Sequence, residues 1–121
     1  MATVGGTGAL SEGMVRLSVS LTAVSARSAQ ELLDALRFLV MSTRLEPGCL
    51  GCSAWTDPDG TVRCVEEWAT ENDMQRRVRS ERFTSLLSVI ESAKDAQVQF
   101  DFVTRTRGIE YVAQVRDMPA T

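Results

Sequence analysis

Apolar and polar residues alternate without a break from Val15 to Thr22. Val15, Leu17, Val19 and Leu21 fall on one side, and Arg16, Ser18, Ser20 and Thr22 on the other. A period of two marks a half-buried strand. The period then lengthens. Ser28-Ala29-Gln30-Glu31 reads as a capping box, and Leu32, Leu33, Leu36, Leu39 and Val40 form a helical stripe behind it. Pro47 sets the limit of that helix, because a proline pushes the residue before it, Glu46, out of the α region. Short strands are predicted over residues 50–56 and 62–68, on either side of Asp57-Pro58-Asp59-Gly60. Thr70-Glu71-Asn72-Asp73 offers a second N-cap. Met74, Val78, Phe83, Leu86, Leu87 and Ile90 then line a second helix, with an irregularity expected near Ser80. A fourth strand is expected over residues 98–104 and a turn over 105–108. Alternation of Ile109, Tyr111, Ala113 and Val115 suggests a fifth strand.

The order is βαββαβ with one added strand. Split β-α-β units of this kind give an α+β, ferredoxin-like antiparallel sheet with both helices on one face. The other sheet face would be bare, and a bare apolar face finds a partner, which points to a homodimer in which the added C-terminal strand makes contact. The expected division is a Gly-rich leader over residues 1–13, one domain over 14–116 and a short tail over 117–121.

The hairpin turn fixes which side chains share a face. Asp, Pro and a closing Gly suit a type I turn followed by a left-handed glycine, giving a three-residue loop with a bulge. Cys52 then faces Glu66, Ala54 faces Cys64 and Leu50 faces Trp68. One face carries Leu50, Cys52, Ala54, Val62, Cys64, Glu66 and Trp68, and the opposite face Gly51, Ser53, Trp55, Arg63, Val65 and Glu67. A carboxylate on so apolar a face has two readings. Desolvation would raise the pKa of Glu66 and make it a base or acid; alternatively it pairs with Arg44, Arg82 or another arginine and ties helix to sheet. Trp68 has the same ambiguity, as core filler or as the wall of a cleft. Arg76, Arg77, Arg79 and Arg82 form a basic run on the second helix. It reads either as a solvated face paired with Glu71, Asp73 and Glu81 or as a lip attracting an anionic substrate.

Composition narrows the chemistry. The 121 residues suffice for one core, with 44% hydrophobic and 24% charged residues and a net charge of −3. Such a balance gives no basic field for nucleic acid, and no apolar run reaches the length of a membrane span. Residues 1–13 lack the basic and apolar regions of a secretory signal, and an odd count of three cysteines fits reduced thiols in a cytoplasm. There is no histidine. That excludes Ser-His-Asp and Cys-His schemes and every imidazole-ligated haem, zinc or iron site. Cys49-Leu50-Gly51-Cys52 is formally a CxxC motif, but residues three apart on a strand point to opposite faces, roughly 10 Å apart. Cys52 and Cys64 are expected to be diagonal neighbours a little too far apart for a relaxed disulfide. No metal and no cofactor are expected, and the three cysteines read as small buried hydrophobes.

The passage from Glu46-Pro47-Gly48, through the hairpin, to Glu66-Glu67-Trp68 resembles the antibiotic-biosynthesis-monooxygenase family of dimeric α+β barrels. The resemblance spans roughly residues 14–104 and rests on the order of several short motifs. It implies cofactor-free oxidation of a small phenolic or quinol-like aromatic molecule in a cleft between sheet and helices. In that setting Glu66 would be the catalytic base or an orienting group, and Trp68, Cys64, Cys52, Met74 and Arg82 would contact substrate. Cys64 stands where quinone-forming members place a polar amide, and Met74 where some carry a tyrosine. Val78 or its neighbours stand where haem-degrading members use a histidine, which speaks against haem degradation. The alternative is a non-catalytic dimeric binding or accessory module that keeps the motifs for the fold alone. Saturable ligand binding without oxygen uptake would favour that alternative.

Overall fold

The computed structural model of the protein describes residue 10 and residues 13–103 and 106–118, so most of the expected leader and the last three tail positions lie outside the described residues. The element order is β1 (Val15–Thr22), α1 (Ala26–Thr43), β2 (Cys49–Thr56), β3 (Val62–Trp68), α2 (Glu71–Arg79), α3 (Glu81–Ser92), β4 (Asp95–Asp101), β5 (Thr106–Arg107) and α4 (Glu110–Asp117). The strands form one antiparallel sheet in the order β2-β3-β1-β4-β5. Its first four positions are those of the split β-α-β arrangement. Among the described residues no helix is long and apolar enough to cross a membrane.

The alternation in β1 sorts its side chains as expected. Val15, Leu17, Val19 and Leu21 are buried with Leu33, Leu36 and Val40 of α1, Met74 and Val78 of α2, and Phe83 and Leu86 of α3. Helix α1 starts a turn before the expected capping box. The Ser25 hydroxyl accepts the Ser28 N–H at 3.1 Å and takes the cap, which leaves Ser28 inside the helix. Thr70 caps α2 as expected, accepting from the Asp73 N–H at 3.1 Å. The irregularity at Ser80 is a full break. This serine closes α2, and its extended backbone and side chain start α3.

Three features of strand content differ from the sequence pattern. First, β4 runs Asp95–Asp101, earlier than residues 98–104, because Lys94 N–H already bonds Thr22 O at 2.9 Å and β1 sets the register from there; Thr104 lies outside the described residues. Second, the added strand is only Thr106–Arg107, where a turn is expected, and residues 109–115 are not a strand. Ile109 is the N-cap of α4 and residues 110–115 lie in that helix, which buries Tyr111, Val112 and Val115 and leaves Ala113 exposed. That spacing fits a helical face, and Glu110 and Arg116 suit the two ends of the helix dipole. A segment this short satisfies both periods, and packing decides. Third, the face away from the helices is polar. It carries Arg16, Ser18 and Ser20 from β1, Ser53 and Trp55 from β2, Arg63, Val65 and Glu67 from β3, and Gln97 and Gln99 from β4. The Arg16 guanidinium bonds Glu67 at 2.9 Å, Arg63 donates to Ser20 at 2.7 Å and pairs with Asp57, and Trp55 donates to Asp57 at 2.8 Å. The expected bare apolar face is a hydrogen-bonded one.

Candidate functional site

The hairpin turn sets the site. Gly60 adopts φ +90°, its N–H bonds Asp57 O at 2.9 Å, and Asp57 N–H bonds Thr61 O at 2.8 Å. This is the loop expected from Asp-Pro-Asp-Gly, and it pairs Cys52 with Glu66 and Ala54 with Cys64. The register slips at the other end of β2, where Cys49, not Leu50, pairs with Trp68. Leu50 is the extra residue of a bulge and is 57% exposed, so it drops out of the core face.

Gly48 explains why the strand starts irregularly. Its φ is +85°, and a Cβ there would lie 2.2 Å from the carboxyl carbon of Asp73. Its carbonyl accepts the Ala69 N–H at 2.8 Å, and the Pro47 carbonyl accepts from Arg76 at 3.0 Å. The Glu46-Pro47-Gly48 loop is thereby docked on the first turns of α2.

Four expected site residues, Glu66, Trp68, Cys64 and Met74, are 0–3% exposed, and Cys52 is 6% exposed. They lie in the layer between β2, β3 and α2. Glu66 is held on both oxygens. Arg77 donates through Nε to Oε1 at 3.1 Å and through NH2 to Oε2 at 2.8 Å, and the Trp68 indole donates to Oε1 at 3.0 Å. Arg77 also reaches Glu46 at 3.4 Å and lies 5.2 Å from the centre of the Phe83 ring. Burial works against the Arg77 charge, but its hydrogen bonds and attraction to Glu66, with Glu46 adding, hold the guanidinium above its ordinary pKa. Of the two readings of Glu66, the geometry presents the ion pair, with an arginine other than Arg44 or Arg82. Arg44 donates instead to the Cys52 carbonyl at 2.8 Å, and Arg82 is exposed on the first turn of α3.

Arg77 is the site residue that the sequence pattern placed wrongly. Grouped with its neighbours as a solvated face, it is 2% exposed. The signal was its spacing: it stands three residues after Met74 and beside Val78, on the buried stripe of α2. Arg76, by contrast, pairs with Asp73 at the surface, as the run suggested.

The thiols lie where the hairpin puts them. Cys52, Cys64 and Glu66 bring their donor atoms within 4.8 Å of one another, with Cys52 and Cys64 neighbours across the diagonal of the hairpin. Three such donors could hold a soft divalent ion. As they stand they are engaged otherwise. Glu66 accepts three hydrogen bonds from Arg77 and Trp68, and the hydrogen bond to Cys52, burial and the nearby Glu66 charge push the Cys64 thiol well up. Burial likewise pushes Cys49 up to about 11. All three cysteines are free. A surface depression of about 210 Å³ between α1 and α3, lined by Ala23, Leu32, Ala35, Val89 and Ala93, contains none of these residues.

Residues 14–87, which contain this whole cluster, match the family described as antibiotic biosynthesis monooxygenase. The chain belongs to that family. Solved structures share the fold at low identity. A cofactor-independent oxygenase from Streptomyces nogalater, SnoaB in a mutant form, superposes with a TM-score of 0.65 at 9% identity, covering 77% of this chain and 95% of its own. A structure described as an antibiotic biosynthesis monooxygenase gives 0.61 at 23% identity, covering 75% and 99%. Protein SO0527 from Shewanella oneidensis gives 0.66 at 16% identity, covering 82% and 95%. No curated protein matches the chain. Family membership and these superpositions give the protein the general fold of cofactor-independent monooxygenases of the antibiotic-biosynthesis kind.

Proposed function

We propose that the protein is a cofactor-independent monooxygenase acting on a small phenolic or quinol-like aromatic molecule, working as a homodimer in the cytoplasm. The observation that carries this reading is the dry, charge-paired cluster of Glu66, Arg77 and Trp68 between β3 and α2, in a chain of this family. An ionised phenol or anthrone is electron-rich enough to pass an electron to oxygen directly. The protein need only exclude water, accept the phenolic proton and stabilise the anion. One oxygen atom enters the ring and the other leaves as water. Trp68, Cys64, Cys52 and Met74 supply the apolar wall, and Arg82 lies at the lip. Glu66 fixes Arg77 by two hydrogen bonds, accepts one from the Trp68 indole, and acts as the base that takes the phenolic proton. Arg77 supplies the positive charge that holds the substrate anion once protonation of Glu66 has removed that partner's charge.

A second reading, a dimeric binding module without turnover, is favoured by one observation: Glu66 has both oxygens occupied by Arg77 and Trp68, as a structural ion-pair partner would. Oxygen uptake with simple hydroquinones and anthrones separates the two. Uptake proportional to protein and substrate supports the monooxygenase; saturable binding across the panel with no uptake above the uncatalysed rate leaves the binding module.

A further inference from the structure

Tyr111 sits as a bound phenol would. Its ring is 3% exposed, lies 4.6 Å from Phe100 in a tilted stack and meets Phe102 edge-on at 5.4 Å. The Arg107 guanidinium is 6.0 Å from the ring centre, and the phenolic hydroxyl donates to the Glu71 carboxylate at 3.1 Å. Aromatic walls with one carboxylate acceptor at the far end are what recognise a phenol and disfavour the same ring without its hydroxyl. The slot is next to the charge-paired cluster: Glu71 opens α2 three residues after Trp68, and Phe100 pairs with Leu17, which pairs with Glu66.

The ring is delivered by α4, a helix of 8 residues with no side-chain cap at its N-terminus. A helix so short is not stable by itself and persists through tertiary contacts. Those contacts are specific: Tyr111, Val112 and Val115 are buried, Arg107 pairs with Glu110 and Gln114, and Arg116 donates to Val78 O at 3.0 Å and reaches Ser80 O and the Thr84 hydroxyl at 3.5 Å. The family match ends at residue 87, so α4 lies outside it. The SnoaB structure is 95% covered while accounting for only 77% of this chain.

We propose that α4 is a plug: the slot between α2 and β4 is a binding site for a free phenol, occupied at rest by Tyr111 and opened when α4 undocks. The proposal deepens, and rests on, the reading of the protein as acting on a small phenolic molecule. Exchange of one phenol for another conserves the ring stacking and the Glu71 hydrogen bond, so the opening costs the remaining α4 contacts and the freedom that a free ligand loses in place of a tethered one. A short helix without a side-chain cap opens locally, ahead of the whole molecule.

The test uses the full chain, with p-cresol, which is the tyrosine side chain as a free molecule, and toluene, its counterpart without the hydroxyl. In the wild type, hydrogen exchange of amides 110–117 should be faster than in β1, and saturating p-cresol should raise it at least tenfold, with little effect of toluene. Tyr111→Ala should bind p-cresol at least tenfold more tightly than the wild type does and at least tenfold more tightly than toluene. Glu71→Leu added to Tyr111→Ala, which removes the acceptor, should erase that preference. Exchange in α4 unmoved by p-cresol, or equal affinity of Tyr111→Ala for p-cresol and toluene, overturns the plug. If Tyr111→Ala does not fold, wild-type exchange decides alone. Release of α4 by p-cresol without oxygen uptake from any hydroquinone or anthrone keeps the plug and removes the monooxygenase; uptake with α4 unmoved does the reverse.

Discussion

Glu66 and Arg77 bring opposite charges into the core, where neither could stay alone. A buried pair of this kind adds little net stability over an apolar replacement, but removal of one partner strands the other. Glu66→Gln should therefore lower stability by on the order of 3 kcal/mol in urea unfolding at neutral pH. A mutant as stable as the wild type that has lost all oxygen uptake would show that Glu66 acts as the proton acceptor and not as a structural partner of Arg77. Trp68→Ala does not discriminate, because deletion of a buried indole costs about 3–5 kcal/mol whether or not a ligand stacks on it. The thiols predict an alkaline limit. Cys49 is raised from 9.0 to about 11, and Cys64 is raised well above 9.0. The native protein thus keeps protons that the unfolded chain releases. The stability this represents is complete below pH 9 and drains away as pH rises from 9 towards 11 and beyond. Melting temperature under reducing conditions should fall over that range, and Cys64→Ala should flatten the fall. A profile unchanged by the substitution would show that the thiols do not control it.

Two glycines separate strain from crowding at the level of elements. Gly60 and Gly48 both have positive φ, +90° and +85°, but only Gly48 has a neighbour, Asp73, where a Cβ would stand. Gly60→Ala should cost about 1–2 kcal/mol, the cost of a left-handed non-glycine residue. Gly48→Ala should cost clearly more, because the Glu46-Pro47-Gly48 loop must also lift from α2. Equal losses in paired denaturation curves would show that the Asp73 side chain moves aside freely. The same loop places Glu46 beside Arg77, so a defect at Gly48 should reach the charge cluster from one end.

For the whole molecule, the sheet face opposite the helices remains the surface on which a second copy would pack. Its side chains are polar and already paired, with Arg16 on Glu67 and Arg63 on Asp57 and Ser20. Sedimentation at micromolar concentration should give a dimer, weakened by Ser18→Asp, which adds an unpaired charge to the half-buried middle of that face. A wild-type monomer at that concentration would refute it. An interface built on paired charges should also weaken as salt rises.

Local chemistry was enough to specify much of this protein. The period of β1, the stripe of α1, the Thr70 cap, the break at Ser80 and the Asp57–Gly60 turn each depend on neighbours within a few residues, and from the turn came the pairing of Cys52 with Glu66. The absence of histidine excluded whole classes of chemistry without any structure. Tertiary contacts decided the rest. Residues 109–115 fit a strand or a helix equally well until Tyr111, Val112 and Val115 met α2 and β4. The bulge that removed Leu50 from the core follows directly on the Gly48 loop, which packs against Asp73, 25 residues away in sequence. The partner of Glu66 could be any of several arginines, since a long flexible side chain satisfies many spacings. Only the packing of α2 over β3 chose Arg77, because charges that leave water must meet at hydrogen-bonding distance or not be buried at all.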